Sequence, residues 1–264
     1  MTVMKKCLYY LRKKISQLKF SRIKKRNYVF KHIGKYYSDV KNQLKILGFK
    51  KIKTFSLSTW KFVKEDVVRF TLVANLDNRK YLIKCGKGFD EKINNSIRFQ
   101  ILFNDEFDFI PKGKELIIDG YKAYLTEFIE SVSFDDYCRF SDIKDIDELI
   151  KQTNVALDKL NEKKIVHCDL ESVNVLIQKK TNKIFLIDFD TCCSKEYNLF
   201  CAPNAFPGYT IKQFFEDCVV YDDAYSFYEL FKRYNFADIE KLDSFNTLKN
   251  KIGRNIHKTP IVSD

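Results

Sequence analysis

Between residues 165 and 190 the chain sets Asp169 five residues before Asn174, and Asp188 fourteen residues beyond that. The first pair lies in Ile165-Val-His-Cys-Asp-Leu-Glu-Ser-Val-Asn-Val-Leu176, just after a long helix, and the third residue ends the apolar strand of Phe185-Leu-Ile-Asp-Phe-Asp190. Here two oxygen ligands, Asn174 and Asp188, stand beside one further carboxylate, Asp169. Hard oxygen donors of this kind suit magnesium, which keeps open positions for phosphate oxygens. A neighbouring carboxylate can orient a hydroxyl and accept its proton.

The hydrophobic period changes once along the chain, and that change organises the rest. Val68, Phe70, Leu72 and Ala74 recur every second residue, the period of a strand. Asn75-Leu-Asp-Asn78 is turn chemistry and Lys80 to Cys85 reads as the returning strand. Residues 49–57 read as an earlier strand, Ser56, Ser58 and Thr59 fall in the loop where it ends, and 92–103 form a helix. Asp119-Gly120 predicts a hairpin between 115–119 and 121–128. From about residue 142, Ile146, Leu149, Ile150, Thr153, Leu157 and Leu160 mark a long amphipathic helix. Strands at 173–178 and 184–187 and a helix from Asp222 to Tyr234 follow. The expected class is α+β: a small antiparallel-sheet lobe at about 45–128, a connector near Glu127–Ser133, and a mostly helical lobe at about 134–264.

Charge separates residues 1–38 from the folded body at 39–264. The first 38 residues carry twelve Lys and Arg and no acid; the remaining 35 basic side chains equal the 35 acidic ones. The net charge of +12 therefore belongs to the N-terminal segment. Met4, Leu8, Leu11, Ile15 and Leu18 step by four and three, so this is a basic amphipathic helix. Either residues 1–27 lie on an anionic membrane surface, or the stripe docks on the body. Nucleic acid is not expected as a partner, because nothing else resembles a nucleic-acid module. The eight cysteines show no C-x-x-C spacing, and Arg12, Lys13 and Lys14 interrupt any secretory h-region. Reduced, buried thiols in a cytoplasmic protein, peripheral on the inner face of a membrane, are the expectation.

The segment 165–190 resembles the protein-kinase superfamily, whose pattern is H-x-D-L-x-x-x-N-x-L followed by D-F-G. His167, Asp169, Leu170, Asn174, Leu176, Asp188 and Phe189 match it position for position. The resemblance implies a bilobal kinase-like fold, ATP and Mg2+ as cofactors, Asp169 as catalytic base, and Asn174 and Asp188 as metal ligands. It makes His167 a structural support and Asp223, in Asp223-Ala-Tyr-Ser-Phe227, the anchor of the catalytic loop. Tyr81-Leu-Ile-Lys84 looks like the strand bearing the phosphate-binding lysine, an inward charge on the face of Leu82, with Glu91 as its partner and Glu127 at the nucleotide-binding connector.

Four departures bear on the acceptor. No G-x-G-x-x-G lies between Phe49 and Val68; Asn94, Asn95 and Ser96 stand where a glutamate partner for Lys84 is sought; Glu171 replaces a Lys, Arg or Ala; and Asp190 replaces the glycine of D-F-G. The L-I-D-F-D run is similar to bacterial lipopolysaccharide-core kinases, which phosphorylate Kdo or heptose, and implies a glycan acceptor. Pro207-Gly-Tyr209 and Asp223-Ala-Tyr-Ser-Phe227 point instead to protein Ser/Thr kinases. A pseudokinase that binds a membrane or partner without turnover is the third reading.

Overall fold

A computed structural model describes residues 34–62, 65–87, 90–118, 120–199, 218–234 and 236–260. The stripe Met4–Leu18 and Pro207-Gly-Tyr209 lie outside the described residues. The chain divides into two compact units, one of residues 1–90 and 115–128, the other of residues 91–114 and 129–264. The expected α+β class, a sheet-built unit and a mostly helical one, is what the chain forms.

In the first unit, helix α1 (Gly34–Ile46) precedes strands β1 (Lys50–Phe62), β2 (Glu65–Leu76) and β3 (Arg79–Lys87). Helix α2 (Asp90–Phe103) leads into β4 (Gly113–Ile118) and β5 (Tyr121–Glu127), giving an antiparallel order β1-β2-β3-β5-β4. Leu76 pairs with Arg79 across Asp77 and Asn78, whose φ values of 48° and 63° make the two-residue mirror-image turn that matches strand twist. Gly120, at φ 75°, supplies the left-handed position of the second hairpin without a Cβ penalty.

The reversal after β1 corrects the sequence reading. Ser56, Ser58 and Thr59 are not in a loop: they pair with Thr71, Arg69 and Val68, and the strand runs on to Phe62. Thr59, Trp60, Phe62, Val67 and Val68 favour an extended ladder, and scattered serines without Gly, Asn or Pro do not turn it.

The sheet's core face alternates along each strand: Phe70, Leu72 and Ala74 on β2, Ile83 and Cys85 on β3, Ala123 and Leu125 on β5. Helix α1, which begins inside the segment 1–38 that charge sets apart from the body, covers this face with fully buried Val40 and Leu44, one helical turn apart. Tyr36 and Tyr37 meet Phe70 edge-on at 5.6 and 5.3 Å, and the Tyr36 hydroxyl donates to the Gly86 carbonyl at 3.0 Å.

The second unit holds α2, strand β6 (Ser131–Ser133), α3 (Phe134–Cys138) and α4 (Ile143–Glu162). Next come β7 (Val175–Gln178), β8 (Ile184–Leu186), β9 (Cys218–Asp222), α5 (Asp223–Lys232), α6 (Asp243–Lys249) and β10 (Ile256–Pro260). Asp142 caps α4 by accepting from the Lys144 and Asp145 amides at 2.9 and 3.0 Å, satisfying two of its orphan donors. Ile146, Leu149, Ile150, Thr153, Ala156, Leu157 and Leu160 then form one buried face, as their spacing predicts. The antiparallel pairing of β10 with β9 was not expected. The five cysteines whose side chains are described, Cys85, Cys138, Cys168, Cys192 and Cys193, are buried free thiols. Among the described residues, no helix is long and apolar enough to cross a membrane.

Phe99 of α2 is fully buried, stacked on Phe189 at 3.8 Å and 10°, and packed on Phe103 and Phe107. Removing it opens a cavity among rings that cannot collapse. Phe99→Ala should cost about 3–5 kcal/mol, read as a loss of unfolding free energy in urea; a change under about 1 kcal/mol would contradict this packing.

Candidate active site

The turn after α4 is set by Lys164 at φ 49°, and Val166 then bridges to Cys193, fixing the start of the loop. His167 is fully buried and holds two segments at once. Its Nε2 donates to the Ile187 carbonyl at 2.9 Å, and its Nδ1 accepts from the Asp169 amide at 3.3 Å. One neutral tautomer satisfies both bonds. The ring therefore ties the backbone of Asp169 to the residue before Asp188, a positional role with no proton to trade.

Asp223, at the start of α5, accepts from the His167 amide at 2.7 Å and the Cys168 amide at 3.4 Å. Cys168 has φ 63°, so the loop turns through a left-handed residue that the two bonds hold in place. Burial pushes the Asp223 carboxyl up to about 7, and the two amides pull against that rise. Asp223→Ala should orphan both buried N–H groups, about 1–3 kcal/mol each. Chemical denaturation would show the loss; a wild-type midpoint would contradict the anchoring.

Asn174 sits just before β7. Its side-chain nitrogen donates to the Asp169 carbonyl at 2.7 Å and to Asp169 Oδ2 at 3.1 Å, leaving the amide oxygen as the acceptor it can present elsewhere. The Ile187 amide donates to the Asn174 carbonyl at 3.0 Å, linking this loop to the strand that delivers Asp188. Asp188 has φ 70° and ψ 50°. A left-handed non-glycine residue costs of order 1–3 kcal/mol and persists where its surroundings over-determine it. Burial first, then the Asp188 and Glu171 carboxylates, push Asp169 up to about 7, against the Asn174 hydrogen bond.

Five expected site residues, His167, Asp169, Asn174, Asp188 and Asp223, are therefore joined within the second unit. Lys84 and Glu127 belong to the sheet unit. Lys84 shares a face with Leu82, as alternation predicts, but the apolar core lies on the other face, with Ile83 and Cys85. Lys84 is half-buried, with Thr71 and Tyr124 as its register neighbours, rather than a charge within the core. Glu127 pairs with Tyr81, so the register puts it on the face opposite Lys84. The side chain of Glu91 lies outside the described residues.

Sequence reasoning passed over the contribution of α2. Asn95 and Ser96 bond the Phe189–Cys192 segment, Ser96 reaching the Asp190 carboxylate. The signal was present: Ser96, Phe99, Gln100 and Phe103 share one buried helical face, and two of the four are polar. Among the described residues, no group of three or more His, Cys, Asp or Glu side chains forms a metal site. The oxygen donors here are instead one amide and the aspartates.

No family model matches the chain. Over 97 residues it is 32% identical to the 3-deoxy-D-manno-octulosonic acid kinase of Actinobacillus succinogenes. That stretch is 35% of this chain and 40% of the relative, so the chain spans well under half the length of the curated protein it matches. Among solved structures it is similar to the kinase PK-1 of Cydia pomonella granulovirus, 18% identical, with a TM-score of 0.41 over 60% of this chain and 56% of that one. The residues that carry the resemblance to protein kinases, His167 to Asn174 and Asp188, are the ones this geometry joins.

Proposed function

We propose that this chain is an ATP- and magnesium-dependent kinase that transfers the γ-phosphoryl group to a hydroxyl of a lipopolysaccharide-core sugar or other surface glycan. The observation that carries the reading is the bracing of Asp169 by the Asn174 amide at its carbonyl and its carboxylate. That bond aims one carboxylate and turns the Asn174 amide oxygen away from it. The donors fit magnesium, an amide oxygen from Asn174 and a carboxylate from Asp188 being hard ligands that leave room for phosphate oxygens. When bound, the ion neutralises the charge of the transferring phosphoryl group.

The chain's own residues supply the rest. Asp169 orients the acceptor hydroxyl and takes its proton as the oxygen bonds to the γ-phosphorus and the bond to the ADP oxygen breaks. His167 and Asp223 hold the loop that carries Asp169. In this reading Lys84 meets the nucleotide phosphates, Glu91 orients it, and Glu127 marks the nucleotide-binding connector. The name of the Actinobacillus relative supports a sugar acceptor, and the Asp-Phe-Asp run from Asp188 agrees with it. Residues 1–27 would hold the protein on an anionic membrane, where such a glycan is lipid-linked, and would leave it peripheral on the cytoplasmic face.

The test is to incubate the purified protein with ATP and magnesium, offering lipid-linked 3-deoxy-D-manno-octulosonic acid or a serine-rich protein, and to locate the phosphate by mass spectrometry. Phosphate on the sugar is expected. Phosphate on the protein alone moves the function to Ser/Thr kinase, the second reading, favoured by Asp223-Ala-Tyr-Ser-Phe227. Nucleotide binding without turnover leaves a pseudokinase. Loss of anionic-vesicle binding on deleting residues 1–27, with turnover of a soluble acceptor intact, would support the membrane role; an unfolded truncated protein would overturn it.

A further inference from the structure

We infer that Asn95, Ser96 and Asp190 form a positioning clamp through which helix α2 holds the Asp188-Phe189-Asp190 loop in its metal-ready conformation, an inference that rests on the kinase reading above. In the pattern this chain resembles, position 190 is glycine, which offers a neighbour only backbone and leaves the loop free to take several conformations. Aspartate gives the helix a handle. The Ser96 hydroxyl donates to the Asp190 carboxylate, and the two residues are 1% and 7% exposed. The Asn95 side-chain nitrogen lies 3.4, 3.2 and 2.9 Å from the carbonyls of Phe189, Asp190 and Cys192. With two protons, it bonds two of the three at a time. Phe99, one turn along, stacks on Phe189.

The short helical turn Phe189–Thr191 is therefore gripped on its side chains and on its carbonyls by a single helix face. Asp188 precedes that turn with φ 70°, a conformation that an aspartate leaves readily when its neighbours are free. Asn95 and Ser96 stand where the glutamate partner of Lys84 was sought. In this chain α2 grips the loop directly. A shift of α2 along its axis would carry the Asp190 carboxylate with it and turn Asp188. Asp190 and Ser96 touch neither nucleotide nor acceptor in this account; they act through Asp188.

The experiment compares wild type with Ser96→Ala, Asp190→Ala, the double variant and Asp190→Asn, whose side-chain oxygen still accepts from Ser96. The first measurement is hydrogen–deuterium exchange of the Phe189–Cys192 amides in the nucleotide-free protein. Losing a hydrogen bond to a charged group should speed that exchange about tenfold or more in each alanine variant. The double variant should add little, because both changes remove one interaction, and Asp190→Asn should stay near wild type. The second measurement is the magnesium concentration for half-maximal ATP binding by calorimetry, which should rise about tenfold in step. Exchange at wild-type rates in both alanine variants overturns the clamp. So does faster exchange spread evenly over the chain, the mark of general destabilisation. If an alanine variant fails to fold, Asp190→Asn and Asp190→Gly decide alone: exchange equal in the two overturns the clamp, and faster exchange only in glycine supports it. Wild-type protein that binds no ATP at any magnesium concentration defeats the kinase reading, and the exchange arm still judges the clamp.

Discussion

Asp188→Asn should lower phosphoryl transfer about a thousandfold or more while leaving the thermal midpoint near wild type. Asparagine keeps the size of the side chain and tolerates the left-handed backbone found at this position, φ 70° and ψ 50°, as well as aspartate does. What it removes is the carboxylate charge, and with it the grip on an ion whose stabilisation of the transition state is worth several kcal/mol. The loss should appear as a raised magnesium requirement together with a depressed kcat. The measurement is single-turnover transfer at rising magnesium concentrations. Turnover equal to wild type would remove Asp188 from the site, and the proposed chemistry with it.

Asp169→Asn should reduce kcat by about 10²–10⁴-fold, the usual worth of a positioned proton acceptor, and leave ATP binding within a factor of a few. The Asn174 nitrogen bonds the Asp169 carbonyl as well as its carboxylate, so the loop keeps its main brace when the charge is gone. A split of this kind, slow turnover with intact nucleotide affinity by calorimetry, separates the base from the metal ligand. If both constants fall together, Asp169 is holding nucleotide or ion rather than taking a proton.

Much of the sheet unit, and the run of residues that makes up the candidate site, was legible before any coordinates. The hairpin at Asp77-Asn78 and the buried stripe from Ile146 to Leu160 are each written within about twenty residues of sequence. Turn chemistry and periodicity act between near neighbours, so a linear reading captures them. The loop from His167 to Asn174 was readable for a related reason. Its Asn174–Asp169 brace spans five residues, and helix α4 before it and the apolar strand β7 after it fix where the polar groups fall.

Sequence determined which residues are available and which local elements bear them; tertiary structure decided which of them meet. Local propensity around Thr59 and Trp60 permits a strand, but which residues of β2 pair with Ser56, Ser58 and Thr59 is set by the partner strand, where the pairing energy lies. Glu127 and Lys84 sit on opposite faces through the register of β3 on β5, and a slip of one residue would have reversed that. Asn95 finds its carbonyl acceptors 94 to 97 residues away, at Phe189, Asp190 and Cys192, and Tyr221 pairs with His257 across the last strand. A hydrogen bond between such distant residues forms only after the core around Phe99 and Phe189 has brought the segments together. Until then each polar group is satisfied by water, and the chain carries no local signature of the choice.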